Sequence, residues 1–310
     1  MSRVLVLGNA TLDVIQRVER LPAPGETVLA LGTARCAGGK GLNQAVAASR
    51  TGAPTLLVAP IGQDAEAAFI ADSVKDEAGL AVNWLACNAP TDLSAIWVAS
   101  GGENVIVSNA DCARLVTPDQ ARSLCGTLAA GDVLLMQGNL SAGVTRAAAQ
   151  TAQTRGAKRV LNTAPIAWDM RAILHLFDIV IANEGEAALL TAGSPSAATS
   201  LHADGVRTAI ITLGARGALI LNDGIETAIE APEVTAIDTA GAGDVFVGTL
   251  AGLLANGLAL SKAVTIAVTA ASLSVTRPNT TPSFPSRAEI AALAKRLGCT
   301  LTAAAADRDR

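Results

Sequence analysis

The feature that most restricts the fold of this chain is a regular alternation of short apolar runs with helical segments. In the second half, helical spacing over residues 118–128 and 142–155 alternates with apolar runs at 133–137 and 160–162, and the pattern continues to residue 213. Strands that are apolar almost throughout are typical of parallel sheets covered on both faces by helices. The sequence therefore predicts an α/β fold around a mostly parallel sheet.

Ligands of such sheets bind beyond the carboxyl ends of the strands. Polar residues or glycine follow several of the predicted strands, namely at Asn139, Asn162, Asn183, Thr212 and Gly214. Because the carboxyl ends of parallel strands share one edge of the sheet, we expect the functional site along that edge.

The length and composition fit one large α/β domain, alone or with a small appendage, or two domains. Half of the 310 residues are hydrophobic, which is enough for a large core. The net charge of −4 argues against nucleic acid or an anionic membrane as the main partner, and no apolar run reaches the length of a membrane span. The five cysteines are scattered without Cys-x-x-Cys spacing, and the N-terminus lacks a signal-peptide core, so we expect reduced thiols and a cytoplasmic protein.

A glycine-rich stretch at residues 238–244 joins two carboxylates to the start of a helix. Alternating β-branched residues at 227–237 predict an exposed or edge strand before it, and helical spacing follows from residue 245 to 256. An aspartate in a first helical turn is a common structural choice, which explains Asp244 alone but not Asp238 with Gly-Ala-Gly between them. The stretch therefore predicts an anion hole beside a carboxylate base, which suits phosphoryl transfer to a hydroxyl.

A second glycine-rich stretch, residues 37–45, opens an alanine-rich helix that runs to residue 50. It is not a P-loop, because Lys40 is followed by Gly41 where that motif needs Ser or Thr, and Ala34 stands where it needs Gly. The stretch is either a flexible helix entry or a surface where the backbone approaches a polyhydroxylated ligand. We favour the second interpretation, with Lys40 and Asn43 directed at that ligand.

Two further stretches each have a structural and a functional interpretation. Asn183 and Glu186 start a predicted helix, where acidic residues usually complement the dipole, but they would also suit a water-bridged Mg²⁺ beside phosphates. The glycines within residues 212–217 could make a hairpin or could line a nucleotide.

Together these stretches resemble the ribokinase (PfkB) family of carbohydrate kinases over essentially the whole chain. The specific signatures are Gly-Gly-Lys-Gly at residues 38–41 with Asn-Gln-Ala at 43–45, and the stretch 238–244. The resemblance implies an α/β/α sandwich with a central mostly parallel sheet and a small β-sheet lid. It implies one domain over residues 1–310, with lid strands inserted at about residues 12–36 and 94–110, among them predicted strands at 27–31, 95–99 and 105–108. It also implies a homodimer formed through the lid.

The resemblance implies a role for each candidate residue. The catalytic base would be Asp244, beside an anion hole at Gly241, Ala242 and Gly243. The sugar would lie against Asp13, Thr11, Gly39, Lys40, Asn43 and Asn139. ATP would lie against Asn183, Thr212, Gly214, Arg216 and Gly217, with Glu186 organising Mg²⁺ through water. A monovalent cation, K⁺, would be held largely through carbonyls at Asp238, Ala240, Ser274, Arg277, Asn279 and Ser283.

The implied activity is ATP-dependent phosphorylation of a primary hydroxyl of a furanose-like sugar, with ribose as the expected substrate. Two departures concern the sugar, because Thr11 stands where ribokinases present asparagine and Asn139 where they present glutamate. The alternative is a nucleoside kinase or another sugar kinase, fructose-like or adenosine-like. A nicotinamide dehydrogenase is disfavoured because no strand is followed by Gly-x-Gly-x-x-Gly, and a sugar-binding protein would need an export signal or a lost base.

Overall fold

The apolar runs and helical segments form two sheets and the helices that cover them in a computed structural model, which describes residues 2–101, 103–194 and 196–301. In chain order, the strands are β1 (Val4–Leu7), β2 (Thr11–Val18), β3 (Gly32–Gly38), β4 (Thr55–Ile61), β5 (Leu80–Ala86), β6 (Leu93–Ala99), β7 (Asn104–Ser108), β8 (Val133–Gln137), β9 (Lys158–Asn162), β10 (Ile179–Asn183), β11 (Thr208–Thr212), β12 (Ala218–Asn222) and β13 (Ile225–Ile229). The α-helices are α1 (Lys40–Ser49), α2 (Ala65–Val74), α3 (Pro118–Cys125), α4 (Ala142–Thr154), α5 (Arg171–Leu174), α6 (Glu184–Leu190), α7 (Ala197–Ala203), α8 (Ala242–Ala255), α9 (Leu260–Ser274) and α10 (Arg287–Arg296).

The larger sheet has nine strands in the order β13-β12-β11-β10-β9-β8-β1-β4-β5. From β11 to β5 all neighbours are parallel, and only β12 and β13 are antiparallel. The carboxyl ends of β8, β9, β10 and β11 therefore lie along one edge, as predicted.

Helices cover both faces of this sheet, and the alternation of side chains along β1 shows why its strands are apolar throughout. Val4 and Val6 belong to a core that includes α1, α8 and α9, whereas Leu5 and Leu7 belong to a second core that includes α3 and α4. Successive residues of a strand point to opposite faces, so a strand buried on both faces has no polar positions. The prediction of an α/β/α sandwich is confirmed.

The smaller sheet has four strands in the order β3-β2-β6-β7, with β2 and β6 parallel and the two outer pairs antiparallel. The first two of its strands in the chain lie between β1 and α1, and the other two between β5 and α3. A separate small sheet, as the predicted fold class requires, is therefore present. Residue 102 of the expected lid and residues 302–310 of the expected domain lie outside the described residues.

Two strand predictions were wrong in position. The strand expected at 27–31 is not a strand, and Leu29 and Leu31 are 88% and 70% exposed; the partner of β2 is instead β3, which starts at Gly32. The strand expected at 227–237 ends at Ile229. Ile229 pairs with Ala218, the first residue of the antiparallel strand β12, so the residues after Ile229 have no strand to pair with. Strand β5 was not predicted at all.

Within the described part of the chain, no helix combines the length and apolarity that crossing a bilayer requires.

Candidate active site

The turn into α8 is tightly packed at Gly241 and open at Gly243. Gly241 caps the helix at φ 78°, and a Cβ there would lie 2.7 Å from Thr280 Cγ2 and 2.8 Å from Phe284 Cε1, so only glycine fits. A Cβ on Gly243 would meet no atom within 4 Å, so the space over the first turn is open. The N–H groups of a first turn lack intrahelical partners, and the macrodipole adds positive potential. The turn is thus open to an anion and polarised to receive one.

Asp244 lies buried in this first turn, and side-chain amides hold both of its oxygens. Asn43 Nδ2 donates to Oδ2 at 2.9 Å, and Gln44 Nε2 donates to Oδ1 at 2.9 Å. Both amides belong to α1, 201 and 200 residues away in sequence. A carboxylate offers about four acceptor positions, so about two remain for a substrate hydroxyl. Asp244 is therefore fixed in orientation and keeps free acceptor positions.

Gln44 is the centre of a buried network that the sequence did not predict. Its Nε2 also donates to Asn162 Oδ1 at 3.1 Å, and Gln137 Nε2 donates to Gln44 Oε1 at 2.8 Å. Asn162 ends β9, so the strand-end argument found its location but gave it no role; Gln137, which ends β8, was not among the candidates. Asn9 was also missed; its Oδ1 accepts from Gly41 N at 3.2 Å and so helps to fix the entry of α1.

Three buried amide oxygens in the described part of the chain have no hydrogen-bond partner: Asn43 Oδ1, Gln137 Oε1 and Asn139 Oδ1. Leaving a buried acceptor unpaired costs about 1–3 kcal/mol, so each of them calls for a donor. All three groups are acceptors, and hydroxyls can donate to them. Asn43, whose amide nitrogen donates to Asp244, thus offers a free acceptor to a ligand hydroxyl at this site.

The small sheet contributes Asp13 and Thr11 to the same region. Thr11 Oγ1 donates to Asp13 Oδ1 at 2.7 Å, so this hydroxyl proton is already used within the protein. Burial raises the pKa of Asp13 above its ordinary value of 3.8, and the negative charge of Asp244 adds to the rise, whereas hydrogen bonds from Thr11 and Ser94 oppose it. A Cβ on Gly38 would lie 2.0 Å from Asp13 Oδ2, so Asp13 packs on the residues that lead into α1, the helix whose amides hold Asp244.

The start of α1 packs closely against the start of β2. Gly39 has φ 92°, and a Cβ there would lie 2.9 Å from the backbone nitrogen of Thr11. Lys40, the first residue of α1, is half-buried and makes no hydrogen bond or ion pair with the described residues. The structure thus brings Gly39, Thr11, Asp13 and Asn43 together with Asp244, and leaves the contacts of the Lys40 ammonium open.

On the predicted nucleotide side, Asn183 and Glu186 form a capping box at the start of α6. Asn183 Oδ1 accepts from Glu186 N at 2.8 Å, while Asn183 N donates to Glu186 Oε2 at 3.1 Å and Asn183 Nδ2 to Oε1 at 2.8 Å. Thr163 Oγ1 also donates to Oε2 at 3.0 Å. These contacts are those of a helix cap, so the structural interpretation is sufficient to explain why Asn183 and Glu186 stand here.

The predicted nucleotide loop links β11 to β12. A Cβ on Gly217, which has φ 92°, would lie 2.0 Å from Ile229 O, so this glycine is required by the packing of the hairpin against β13. Gly214 also has positive φ, at 58°, with open space beside it. Arg216 pairs with Glu184 of α6, and Thr212 Oγ1 lies 3.5 Å from Ala182 O. The loop is tied to the start of α6, which places its residues near Asn183.

The residues proposed for a monovalent cation form two groups. Asp238 Oδ1 accepts from Ala240 N at 2.9 Å and its Oδ2 from Asn279 N at 3.1 Å, so these three residues meet. The side chains of the other three point elsewhere: Ser274 Oγ donates to Ala271 O, Ser283 Oγ to Thr280 O, and Arg277 pairs with Glu289. Within residues 2–101, 103–194 and 196–301, no group of three or more His, Cys, Asp or Glu could hold a metal ion.

The architecture is shared with known sugar kinases. The fold matches the structure of ribokinase from Thermotoga maritima with a TM-score of 0.86 and 26% identity, over 95% of this chain and 100% of that one. It matches Arabidopsis thaliana ribokinase, solved in complex with ribose and ATP, with a TM-score of 0.84 and 27% identity, over 94% and 99% of the two chains.

Sequence comparison gives the same result. The ribokinase of Haemophilus influenzae is 33% identical over 293 residues, which cover 92% of this chain and 95% of that protein. The model of the pfkB family carbohydrate kinases matches residues 1–287. The chain belongs to the pfkB family of carbohydrate kinases.

Proposed function

We propose that this protein transfers the γ-phosphoryl group of ATP to the primary hydroxyl of ribose, giving ribose 5-phosphate. The observation that carries the proposal is the placement of Asp244, a buried carboxylate held by Asn43 and Gln44 at the open N-terminus of α8. The ribokinases of H. influenzae and A. thaliana support ribose and ATP as the substrates. Use of ATP agrees with the cytoplasmic location expected from the sequence.

In this proposal, different residues of the chain activate the hydroxyl, stabilise the transferred phosphoryl group and orient the sugar. Asp244 accepts the proton of the primary hydroxyl through the acceptor positions that Asn43 and Gln44 leave free. The first-turn amides of α8 around Gly243 stabilise the charge that develops on the transferred phosphoryl group. Asp13 and the unpaired oxygens of Asn43 and Asn139 accept hydrogen bonds from the other sugar hydroxyls and so orient the reacting one.

Mg²⁺ would neutralise charge on the phosphates of bound ATP. A carboxylate has about four acceptor positions, and three at Glu186 are used by Asn183 Nδ2, Asn183 N and Thr163 Oγ1. About one position is left, which fits a water bound to the metal and not direct ligation. Glu186 would therefore act on Mg²⁺ through water, as the sequence predicts.

K⁺ would lie where the loop before α8 meets the loop after α9, at Asp238 and Asn279. Both carboxylate oxygens of Asp238 accept backbone N–H groups, so they hold the two loops together. The main-chain carbonyls of these loops are the oxygens that fit a weakly hydrated monovalent ion.

A homodimer through the small sheet is the proposed assembly. β7 is an edge strand of that sheet, all of its residues are exposed, and Val105, Ile106 and Val107 are 40%, 56% and 57% exposed. An apolar edge strand is a template for pairing with another chain. Ile106→Asp should convert the dimer to a monomer in sedimentation analysis, and a monomeric wild-type protein would refute this assembly.

The test of the function is release of ADP with a panel of sugars and nucleosides, followed by identification of the phosphorylated product. We expect the highest kcat/KM with ribose, product phosphorylated at the primary hydroxyl, and loss of activity in EDTA that Mg²⁺ restores. Phosphorylation of a nucleoside with higher kcat/KM than any free sugar would replace the proposal by the nucleoside kinase alternative.

A further inference from the structure

Four side chains, one from each strand of the small sheet, lie in a row across it. Asp13 of β2 is paired in register with Cys36 of β3 and with Ser94 of β6, and Ser94 is paired with Ser108 of β7. Residues that are opposite one another on neighbouring strands point to the same face of a sheet. The row therefore links the carboxylate of Asp13 to the edge strand β7 through two serine hydroxyls.

Hydrogen bonds run along this row towards Asp13. Ser108 Oγ donates to Ser94 Oγ at 2.9 Å, and the Ser94 side chain is in turn hydrogen-bonded to Asp13. An ionised carboxylate only accepts, so the single proton of Ser94 must go to Asp13, and Ser94 can then only accept from Ser108. The charge of Asp13 thus sets the direction of both hydrogen bonds.

The hydroxyl of Ser94 lies where water has little access. Ser94 is 7% exposed, and the next row on the same face of the sheet is apolar, with Ile15, Ile96 and Ile106. Alanine differs from serine by one oxygen, so packing alone does not call for a hydroxyl here. A buried hydroxyl needs hydrogen-bond partners, and those of Ser94 are the other members of the polar row.

Two donors on different strands therefore restrain the carboxylate of Asp13. Thr11 of β2 donates to Oδ1 at 2.7 Å, and Ser94 of β6 provides the second hydrogen bond. A carboxylate has about four acceptor positions, so about two remain for sugar hydroxyls. Hydrogen bonds to an ionised group are stronger than those between neutral groups, so losing one should allow the carboxylate to reorient.

We propose that Ser94 is a positioning residue for the sugar. It holds the carboxylate of Asp13 in the orientation that accepts from the sugar hydroxyls, and Ser108 acts through Ser94 by fixing the direction of its proton. This role rests on the proposed function, in which Asp13 accepts hydrogen bonds from the sugar.

The first test is binding of ribose to the full chain by calorimetry, with kcat and KM from release of ADP. Ser94→Ala should weaken ribose binding and raise its KM about tenfold, while kcat changes little because the turn into α8 is untouched. Ser94→Cys, which is close in size but a weaker donor, should give an intermediate value. The matched control is Ser100→Ala, which removes a hydroxyl that donates to Val18 O at 3.4 Å, at the far end of β2, and should bind ribose like the wild type.

A double-mutant cycle tests whether Ser108 acts through Ser94. Ser108→Ala should weaken ribose binding in the wild type, by a smaller factor than Ser94→Ala. It should have no further effect in the Ser94→Ala variant, because the group through which it acts is then absent.

A second measurement, titration of the Asp13 carboxyl by NMR, needs no sugar. Burial raises the pKa of Asp13 above 3.8 and the charge of Asp244 on α8 adds to the rise, whereas hydrogen bonds from Thr11 and Ser94 oppose it. The other titratable or charged groups on the elements around it are the Cys36 thiol on β3 and Lys40 at the start of α1. Because Ser94 stabilises the ionised form, Ser94→Ala should raise the pKa of Asp13 further, and Ser100→Ala should leave it unchanged.

The proposal is overturned if Ser94→Ala leaves either ribose binding or the pKa of Asp13 at its wild-type value, or if Ser100→Ala weakens binding equally. Simple addition of the effects of Ser94→Ala and Ser108→Ala would overturn the role of Ser108. If ribose binds to none of the proteins, the proposed function fails, and the pKa of Asp13 still decides whether Ser94 restrains that carboxylate.

Discussion

The substitution Gln44→Met tests the network that orients Asp244. Methionine keeps the length of the side chain and its fit in a fully buried position, but it removes three hydrogen bonds: to Asp244, to Asn162, and from Gln137. Each buried neutral group left unpaired costs about 1–3 kcal/mol, so loss of the partners of Asn162 and Gln137 should lower the free energy of unfolding by roughly 2–6 kcal/mol.

The same substitution frees one oxygen of the proposed base. A misplaced catalytic group commonly costs about tenfold to a hundredfold in rate, so we expect kcat to fall by that order while the KM for ATP changes little. Urea denaturation gives the stability, and steady-state kinetics with ADP detection gives kcat.

Leu250→Ala is the matched control, because it empties a fully buried site on the same helix, α8, outside the network. It should cost about 2–5 kcal/mol of stability with kcat nearly unchanged. If Gln44→Met loses as much stability as the control but keeps its kcat, Gln44 only packs, and the argument that it positions Asp244 is refuted.

Three further predictions concern the sugar, pH and the cation. Asn139→Glu replaces an amide by an acceptor-only group, so we expect kcat/KM for ribose relative to other sugars to rise by roughly tenfold or more; an unchanged ranking would show that Asn139 does not set specificity. Burial raises the pKa of Asp13, so its ionisation opposes folding above the ordinary value of 3.8; Asp13→Asn should therefore gain stability at neutral pH, and the gain should disappear as the pH falls towards 3.8. A gain independent of pH in urea melts would contradict that cause. Replacing Na⁺ by K⁺ should raise kcat in the wild type, and indifference to the ion would remove the cation site while leaving the kinase proposal intact.

Local patterns predicted much of the fold. The strand β8 lies where its apolar run placed it, and α3, α4 and α6 begin where helical spacing and capping residues predicted. Strand β3 was missed because its residues have few strand-forming side chains, and pairing with β2 decides its structure. The segment 230–237 has residues typical of strands, but it lacks a neighbouring strand to pair with.

The site was also predictable only in part, because some of its contacts join residues that are far apart in the sequence. The glycines and aspartates of 238–244 carry a local signal, because a turn into a helix needs those residue types next to one another. The amides of Gln44 and Gln137 carry none, since their role depends on contacts between residues up to 200 positions apart. Adjacent Asn43 and Gln44 between the apolar residues Leu42 and Ala45 of α1 were the available clue.

The most direct test of the central claim is the rate of phosphoryl transfer by Asp244→Asn. The substitution keeps the shape of the side chain but removes the proton acceptor, and it replaces one of the two oxygens that accept from α1 by a donor. General-base catalysis is typically worth about 10²–10⁴ in rate, so kcat with ribose and ATP should fall by that order while ribose binding, measured by calorimetry, is little changed. A variant that retains near-normal kcat would contradict the assignment of Asp244 as the base.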